Sequence, residues 1–150
     1  MRIALVGDHN GVALKARLVA WLQEHGHEID DRGVHTDAEK VDYPPLCVDV
    51  CRAVLDGSAD RGIVVGGSGL GETIACNKIH GIRAGLCVDD FHARISRGNN
   101  DSNVLVLGAK VLTGEAAEQI LATWLETPFK GGEHQRRLDQ IAQLEERGTP

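Results

Sequence analysis

Short apolar runs alternate along this chain with longer stretches in which apolar residues recur every three or four positions. The short runs predict five strands, at residues 2–7, 27–31, 63–65, 82–88 and 104–108. The longer stretches predict helices near residues 12–25, 44–55, 70–78, 89–97, 113–126 and 133–147. Strands that alternate with helices are typical of a doubly wound α/β protein. We therefore expect a Rossmann-like three-layer α/β/α sandwich with a five-stranded parallel sheet, in one domain spanning residues 1–150.

Polar clusters interrupt this pattern, and we interpret each as following the end of a strand. The clusters are Asp8-His9, residues 68–72, Asn99-Asn100 and Lys110. Right-handed crossovers bring the carboxyl ends of parallel strands to one edge of the sheet, where ligands bind. We therefore expect the four clusters to meet at that edge and to form an active site.

The glycine-rich segment 66–72 is the centre of this expected site. Its glycines allow a sharp turn and leave peptide N–H groups uncovered, and the helix that starts at Leu70 adds the positive end of its dipole. An anion or a developing oxyanion binds well at such a point, and Glu72 supplies a carboxylate for removing a proton next to a carbonyl. Two other interpretations stay open, a nucleotide phosphate site and a purely structural turn, although neither the Walker A nor the G-x-G-x-x-G pattern is matched.

Composition and charge limit the classes of function that this chain can have. The 150 residues carry 16 basic and 22 acidic side chains, a net charge of −6, so we expect no nucleic-acid or membrane partner. The start of the chain is too short for a signal peptide, and we expect a cytoplasmic protein. The four cysteines lack CxxC spacing, and we interpret them as reduced, buried side chains rather than metal ligands or redox centres.

Two helices carry apolar residues whose location matters for assembly. We expect Ile74 to face the core from the helix after the glycine segment, and Leu138, Ile141 and Leu144 to face inward from the last helix. That last helix follows the break at Gly131-Gly132 and has little local core of its own. We therefore expect it to pack across a partner subunit, in a homodimer or a dimer of dimers.

Taken together, these motifs resemble the ribose-5-phosphate isomerase B family, which also contains the galactose-6-phosphate isomerase subunits. The resemblance covers nearly the whole chain. It is carried by Gly7-Asp8-His9, Asp42-Tyr43-Pro44, Gly67-Ser68-Gly69-Leu70-Gly71, Asn77-Lys78, Gly81-Ile82-Arg83-Ala84, Asn99-Asn100-Asp101 and Gly131-Gly132-Glu133-His134-Gln135.

The resemblance implies aldose–ketose isomerisation of a sugar phosphate through a cis-enediol, with no metal and no organic cofactor. One branch of the family uses a cysteine directly after the third strand as the base. Gly66 stands there in this chain, and Glu72 matches the glutamate that serves as the base in the other branch. The resemblance assigns the remaining roles as follows: enediolate stabilisation to Gly67, Ser68, Gly69 and Gly71; sugar binding to Asp8, His9, Tyr43, Asn99 and Asn100; and phosphate binding to Lys110 and to Arg137 of a neighbouring subunit.

Two positions depart from the family pattern. Asn99 replaces a histidine that is thought to open the sugar ring, and Glu133 replaces an arginine that binds phosphate. The first departure leaves ribose 5-phosphate and a tetrose phosphate such as erythrulose 4-phosphate as alternative substrates. A non-catalytic sugar-phosphate-binding module and an inactive partner subunit remain alternatives of another class. His9 as a helix cap, Tyr43 as a packing residue and His134 as a helix start also remain open.

Overall fold

A computed structural model describes residues 1–147 and has a parallel sheet with helices on both faces. The strands are β1 (Arg2–Gly7), β2 (Glu28–Asp31), β3 (Arg61–Gly66), β4 (Ala84–Leu86) and β5 (Val104–Gly108). The helices are α1 (Val12–Glu24), α2 (Tyr43–Leu55), α3 (Leu70–Asn77), α4 (Asp90–Gly98), α5 (Gly114–Glu126) and α6 (Glu133–Arg147). Within the described residues, no helix is long and apolar enough to cross a membrane.

The sheet has the strand order β2-β1-β3-β5-β4, and all its strand pairs are parallel. The central strands β3 and β5 are apolar and buried on both faces, as the continuous apolar runs predict. β2 lies at one edge, as expected from its polar composition. β4, at the other edge, is shorter than predicted, and the Asn77 side-chain amide is hydrogen-bonded to the backbone N–H and carbonyl of its first residue, Ala84.

Two apolar layers form the core, one on each face of the sheet. The first packs side chains of α1 and α5, including Leu18 and Trp124, against the sheet. The second packs α2 and α3 against the other face and contains Cys47, Cys51 and Cys76. All four cysteines are free and buried, as the sequence predicts, and burial raises the pKa of the Cys87 thiol to about 12.

Apolar side chains that are predicted to face inward from α3 and α6 are exposed in the structure. Ile74 is 63% exposed and Leu144 is 65% exposed, so the expectation that these residues face the core of their own chain is wrong; Ile141 is also exposed. Leu138 is buried as predicted. α6 lies beside the turn between α3 and β4, where the Glu145 carboxylate accepts from the Gly81 N–H. An open groove of about 830 Å³ separates much of this helix from the rest of the domain.

Candidate active site

The carboxyl edge of the sheet brings three of the predicted clusters together. The Asp8 N–H donates to the Val65 carbonyl at 3.2 Å, which joins the end of β1 to the end of β3. The Lys110 N–H donates to the Gly67 carbonyl at 2.9 Å, which joins the segment after β5 to the glycine segment. Asp8, the glycine segment and Lys110 therefore share one edge, as expected from the parallel topology.

The carboxylate of Glu72 lies directly over the Cα of Gly66. A Cβ built on Gly66 would overlap both the carboxyl carbon and an oxygen of Glu72, so the carboxylate occupies the volume that any side chain at position 66 would need. Glu72 is only 4% exposed, and within residues 1–147 no donor is hydrogen-bonded to its carboxylate oxygens. A buried carboxylate with free lone pairs at the end of a central strand is available for chemistry.

The glycine segment 67–71 presents a set of free backbone amides beside that carboxylate. Gly69 has a φ of 79°, which favours glycine, and caps the start of α3 without a side-chain bond. In the described part of the chain, the N–H groups of Gly67, Ser68, Gly69 and Gly71 have no acceptor. Amides that converge at a helix start are suited to a negatively charged oxygen.

Tyr43 closes one side of the glycine segment. Its ring and hydroxyl lie against Gly71, where a Cβ would overlap the hydroxyl oxygen. The residues before Tyr43 also contact His9, because the Val41 N–H donates to His9 Nδ1 at 3.3 Å. The cap of α1 is Gly11, so His9 does not cap that helix and its ring remains at the site.

Asn10 and Lys15 belong to this edge but are absent from the sequence prediction. The Asn10 side chain lies against Gly67 and donates to the Asp8 carboxylate at 2.9 Å. Lys15, only 2% exposed, is paired with Asp31 at 2.5 Å at the end of β2. Asn10 is two residues after Asp8, and that proximity is a usable signal, whereas an apolar-facing lysine on a helix gives none.

Asn99 and Asn100 lie at the opposite edge of the sheet, so the expectation that they join the other clusters is wrong. They follow helix α4 and precede β5, which places them at the amino ends of the strands. The Asn100 carbonyl accepts from Arg83 Nε at 3.2 Å, and Arg83 immediately precedes β4. At about 3.3 Å per residue, the five residues of β5 alone separate the two edges by about 13 Å.

Arg137 lies on the same side as these asparagines. Asn100 and Leu138 line the same groove beside α6, and Lys130, just before that helix, donates to the Asn99 side chain at 2.8 Å. Arg137 itself is about half exposed and pairs with Glu133 at 3.1 Å. Lys130 is a further cation at this edge that the sequence motifs do not reveal.

Metal-binding residues are not clustered in the structure. Within residues 1–147, no three His, Cys, Asp or Glu side chains are grouped so that they could hold a metal ion. The chemistry that the described side chains offer is that of a buried carboxylate, free amides, hydroxyl groups and surface cations.

Comparison with known proteins identifies the class to which this fold and site belong. Residues 3–141 match the ribose/galactose isomerase family, and the chain belongs to that family. The chain is 42% identical to ribose-5-phosphate isomerase B of Escherichia coli over 97% of both chains. It is 33% identical to D-erythrulose-4-phosphate isomerase of Pectobacterium atrosepticum, over 97% of this chain and 95% of that one.

The fold shows the same relationship. The structure of ribose-5-phosphate isomerase B from Clostridium thermocellum superposes with a TM-score of 0.96 at 43% identity, covering 98% of this chain and 99% of that one. The chain is thus a sugar-phosphate isomerase similar to ribose-5-phosphate isomerase B, an enzyme of the aldose–ketose isomerase class. These comparisons favour an enzyme over a non-catalytic sugar-phosphate-binding module.

Proposed function

We propose that the protein interconverts ribose 5-phosphate and ribulose 5-phosphate through a cis-enediolate, with Glu72 as the base. The observation that carries this proposal is the Glu72 carboxylate, buried over Gly66 and adjacent to the free amides of the glycine segment. A base and an oxyanion site in contact are what proton removal next to a carbonyl requires.

The proposed reaction moves one proton between neighbouring carbons. Glu72 removes the proton from C2 of the open-chain aldose while the carbonyl oxygen at C1 gains negative charge. The N–H groups of Gly67, Gly69 and Gly71 and the hydroxyl of Ser68 stabilise that oxygen, at about 3 kcal/mol for a well-placed donor. The proton of the C2 hydroxyl then passes to the C1 oxygen, which leaves the negative charge on the C2 oxygen. The protonated Glu72 returns its proton to C1, and C2 becomes the carbonyl carbon of the ketose. A positioned base contributes roughly 10²- to 10⁴-fold.

The complete site is proposed to combine the two edges of different subunits in a homodimer. Asp8, His9, Tyr43 and Lys110 would bind substrate beside Glu72, whereas the Asn99, Asn100 and Arg137 groups of the same chain lie across the sheet. Separation by about the length of β5 is too far for hydrogen bonds to one small sugar phosphate. The partner's Asn99, Asn100 and Arg137 would therefore complete the site.

Exposed apolar side chains support this assembly. Leu70 and Ile74 on α3, and Ile141 and Leu144 on α6, are each 47% or more exposed in the single chain. Apolar surface of this kind is stabilised when a second copy covers it. Dimer formation would also explain why the apolar stripe of α6 is only partly buried against its own chain.

A tetrose phosphate is the second candidate substrate. Asn99 carries a side-chain amide that does not titrate, and its oxygen already accepts from Lys130, so it cannot shuttle a proton for ring opening. A tetrose 4-phosphate needs no ring opening, because the hydroxyl required for a five-membered ring carries the phosphate. A relative at 33% identity is named D-erythrulose-4-phosphate isomerase.

The deciding experiment compares kcat/KM for ribose 5-phosphate and for erythrulose 4-phosphate with the purified protein and with Asn99→His. If ring opening limits the pentose reaction, Asn99→His raises kcat/KM for ribose 5-phosphate and leaves the tetrose rate unchanged. A preference for ribose 5-phosphate that Asn99→His does not alter rejects the tetrose alternative. Failure to isomerise either substrate, in a panel that includes hexose 6-phosphates, rejects the proposed reaction.

A further inference from the structure

Asp101 has a backbone conformation that ordinarily belongs to glycine. Its φ is 44°, and within residues 1–147 it is the only residue other than glycine with a positive φ. Asp101 stands in the turn that follows α4, where the Asp101 N–H donates to the Arg97 carbonyl and the Ser102 N–H donates to the Ser96 carbonyl. An aspartate at a position where glycine would fit freely, with its carboxylate in two ion pairs, indicates that its side chain has a purpose.

The carboxylate of Asp101 bridges two arginines. One oxygen accepts from Arg97 Nη1 at 2.8 Å and the other from Arg83 Nη2 at 3.0 Å. Arg83 also donates to the Asp101 carbonyl at 2.8 Å and to the Asn100 carbonyl at 3.2 Å. We call Arg83, Arg97 and Asp101 the arginine clamp; it binds both the side chain and the backbone of the turn that follows α4.

Arg97 connects the arginine clamp to the core. Arg97 is only 4% exposed, its guanidinium lies 5.7 Å from the centre of the Trp124 ring, and it donates to the Ser102 carbonyl at 2.6 Å. The Trp124 indole in turn donates to the Ser102 hydroxyl at 2.8 Å. The position of a surface turn is therefore fixed by a side chain that packs in the middle of the first core layer.

We propose that the arginine clamp positions Asn100 for the active site of the partner subunit. Asn100 is exposed and immediately precedes Asp101, so the backbone held by the clamp is the backbone that aims its side chain. Asp101 touches no reacting atom in this scheme; it acts through Asn100. The inference rests on the proposed function, in which Asn100 meets the substrate.

The test uses the full-length enzyme and four variants: Asp101→Gly, Asp101→Asn, Asn100→Ala and the combination of Asp101→Gly with Asn100→Ala. Glycine fits a φ of 44°, so Asp101→Gly removes the clamp without straining the backbone. Asn also tolerates this conformation and keeps the size but not the charge. Asp60→Asn is the matched control, because Asp60 pairs with Arg2 at similar exposure away from the turn. Steady-state kcat and KM and thermal unfolding are measured for each.

The expected result is a fall in kcat/KM of about tenfold for Asp101→Gly, since one well-aimed hydrogen bond is lost from the site. Asp101→Asn gives a smaller fall, and Asp60→Asn gives none. The combined variant is no worse than Asn100→Ala alone, because Asp101 has no effect once the group that it positions is gone. A purely structural role would instead make the two losses multiply.

Three results overturn the inference. Normal kcat/KM in Asp101→Gly, or multiplied losses in the combined variant, rejects the clamp while leaving the role of Asn100 intact. Normal kcat/KM in Asn100→Ala rejects both that role and the clamp. If Asp101→Gly fails to fold, Asp101→Asn decides on the same criteria, in combination with Asn100→Ala.

Discussion

Mixing two inactive variants tests whether the active site is shared between subunits. One chain carries Glu72→Gln, which removes the proposed base at the carboxyl edge. The other carries Arg137→Ala, which removes a cation beyond the opposite edge. Each homodimer then has one defect in both of its sites. In a hybrid dimer, one site collects both defects and the other contains neither, because its two halves come from the intact edges of different chains.

The expected recovery follows from this arrangement. Random exchange of equal amounts makes about half of the dimers hybrids, so about a quarter of all sites are intact and the mixture regains about a quarter of wild-type activity. The activity of each variant before mixing is low. Loss of Glu72 costs at least about 100-fold, and loss of a charged hydrogen bond at Arg137 costs about 10- to 150-fold in kcat/KM. Because the loss at Arg137 is expressed in kcat/KM, the assay is run at substrate concentrations well below KM.

The matched control places both defects on the same edge. Glu72→Gln mixed with Tyr43→Phe leaves no intact site in any dimer, so activity in that mixture should not exceed the mean of its two components. Native mass spectrometry of differently tagged chains establishes that exchange has occurred. If exchange is complete and the first mixture recovers no more than the control, each chain uses its own Arg137 and the shared site is refuted.

Three further predictions concern the proposed base and phosphate site. Glu72→Gln should fold normally and lose at least about 100-fold in kcat. The control Cys76→Ala, which truncates a buried thiol one helical turn away, should leave kcat within about twofold. Equal activity in the wild type and both variants would show that Glu72 is not the base. Gly66→Ala should lower kcat about as much as Glu72→Gln does, because the added methyl group displaces the Glu72 carboxylate, and its circular dichroism spectrum should be unchanged. A fully active Gly66→Ala enzyme would mean that the carboxylate does not react from this position. Glu133→Gln should lower KM for the sugar phosphate by about 1.4- to fivefold, since the exposed ion pair that competes for Arg137 is worth about 0.2–1 kcal/mol. An unchanged KM would place Arg137 away from the phosphate.

The strands and the glycine segment were predictable because their signals are local. Three consecutive β-branched residues before Gly66 specify a buried strand, and glycines followed by a helical pattern specify a turn with free amides. The position of Tyr43 against Gly71 was not predictable, because it depends on how segment 32–42 crosses the sheet edge. The buried pair Lys15 and Asp31 was missed because periodicity says nothing about which polar residues are covered.

The wrong predictions for Ile74 and Leu144 arise from information that one chain does not contain. Ile74 and Leu144 have the spacing of a core face, and a helical pattern cannot distinguish the core of its own chain from the surface of another. Asn99-Asn100 was assigned to the wrong edge for a different reason. These residues come after a short helix rather than after a strand, and in a parallel sheet that difference moves a loop to the other edge.

The overlap between position 66 and Glu72 constrains how such enzymes can change over evolutionary time. A side chain at position 66 and the Glu72 carboxylate compete for one volume. The cysteine base that the family resemblance implies for position 66 therefore cannot be combined with the proposed base at position 72. Each single substitution is harmful in the background of the other residue, which is a case of reciprocal sign epistasis. Exchange of the base therefore requires passage through a weakened intermediate or two changes together, and an ancestral enzyme is expected to carry one of the two groups and never both.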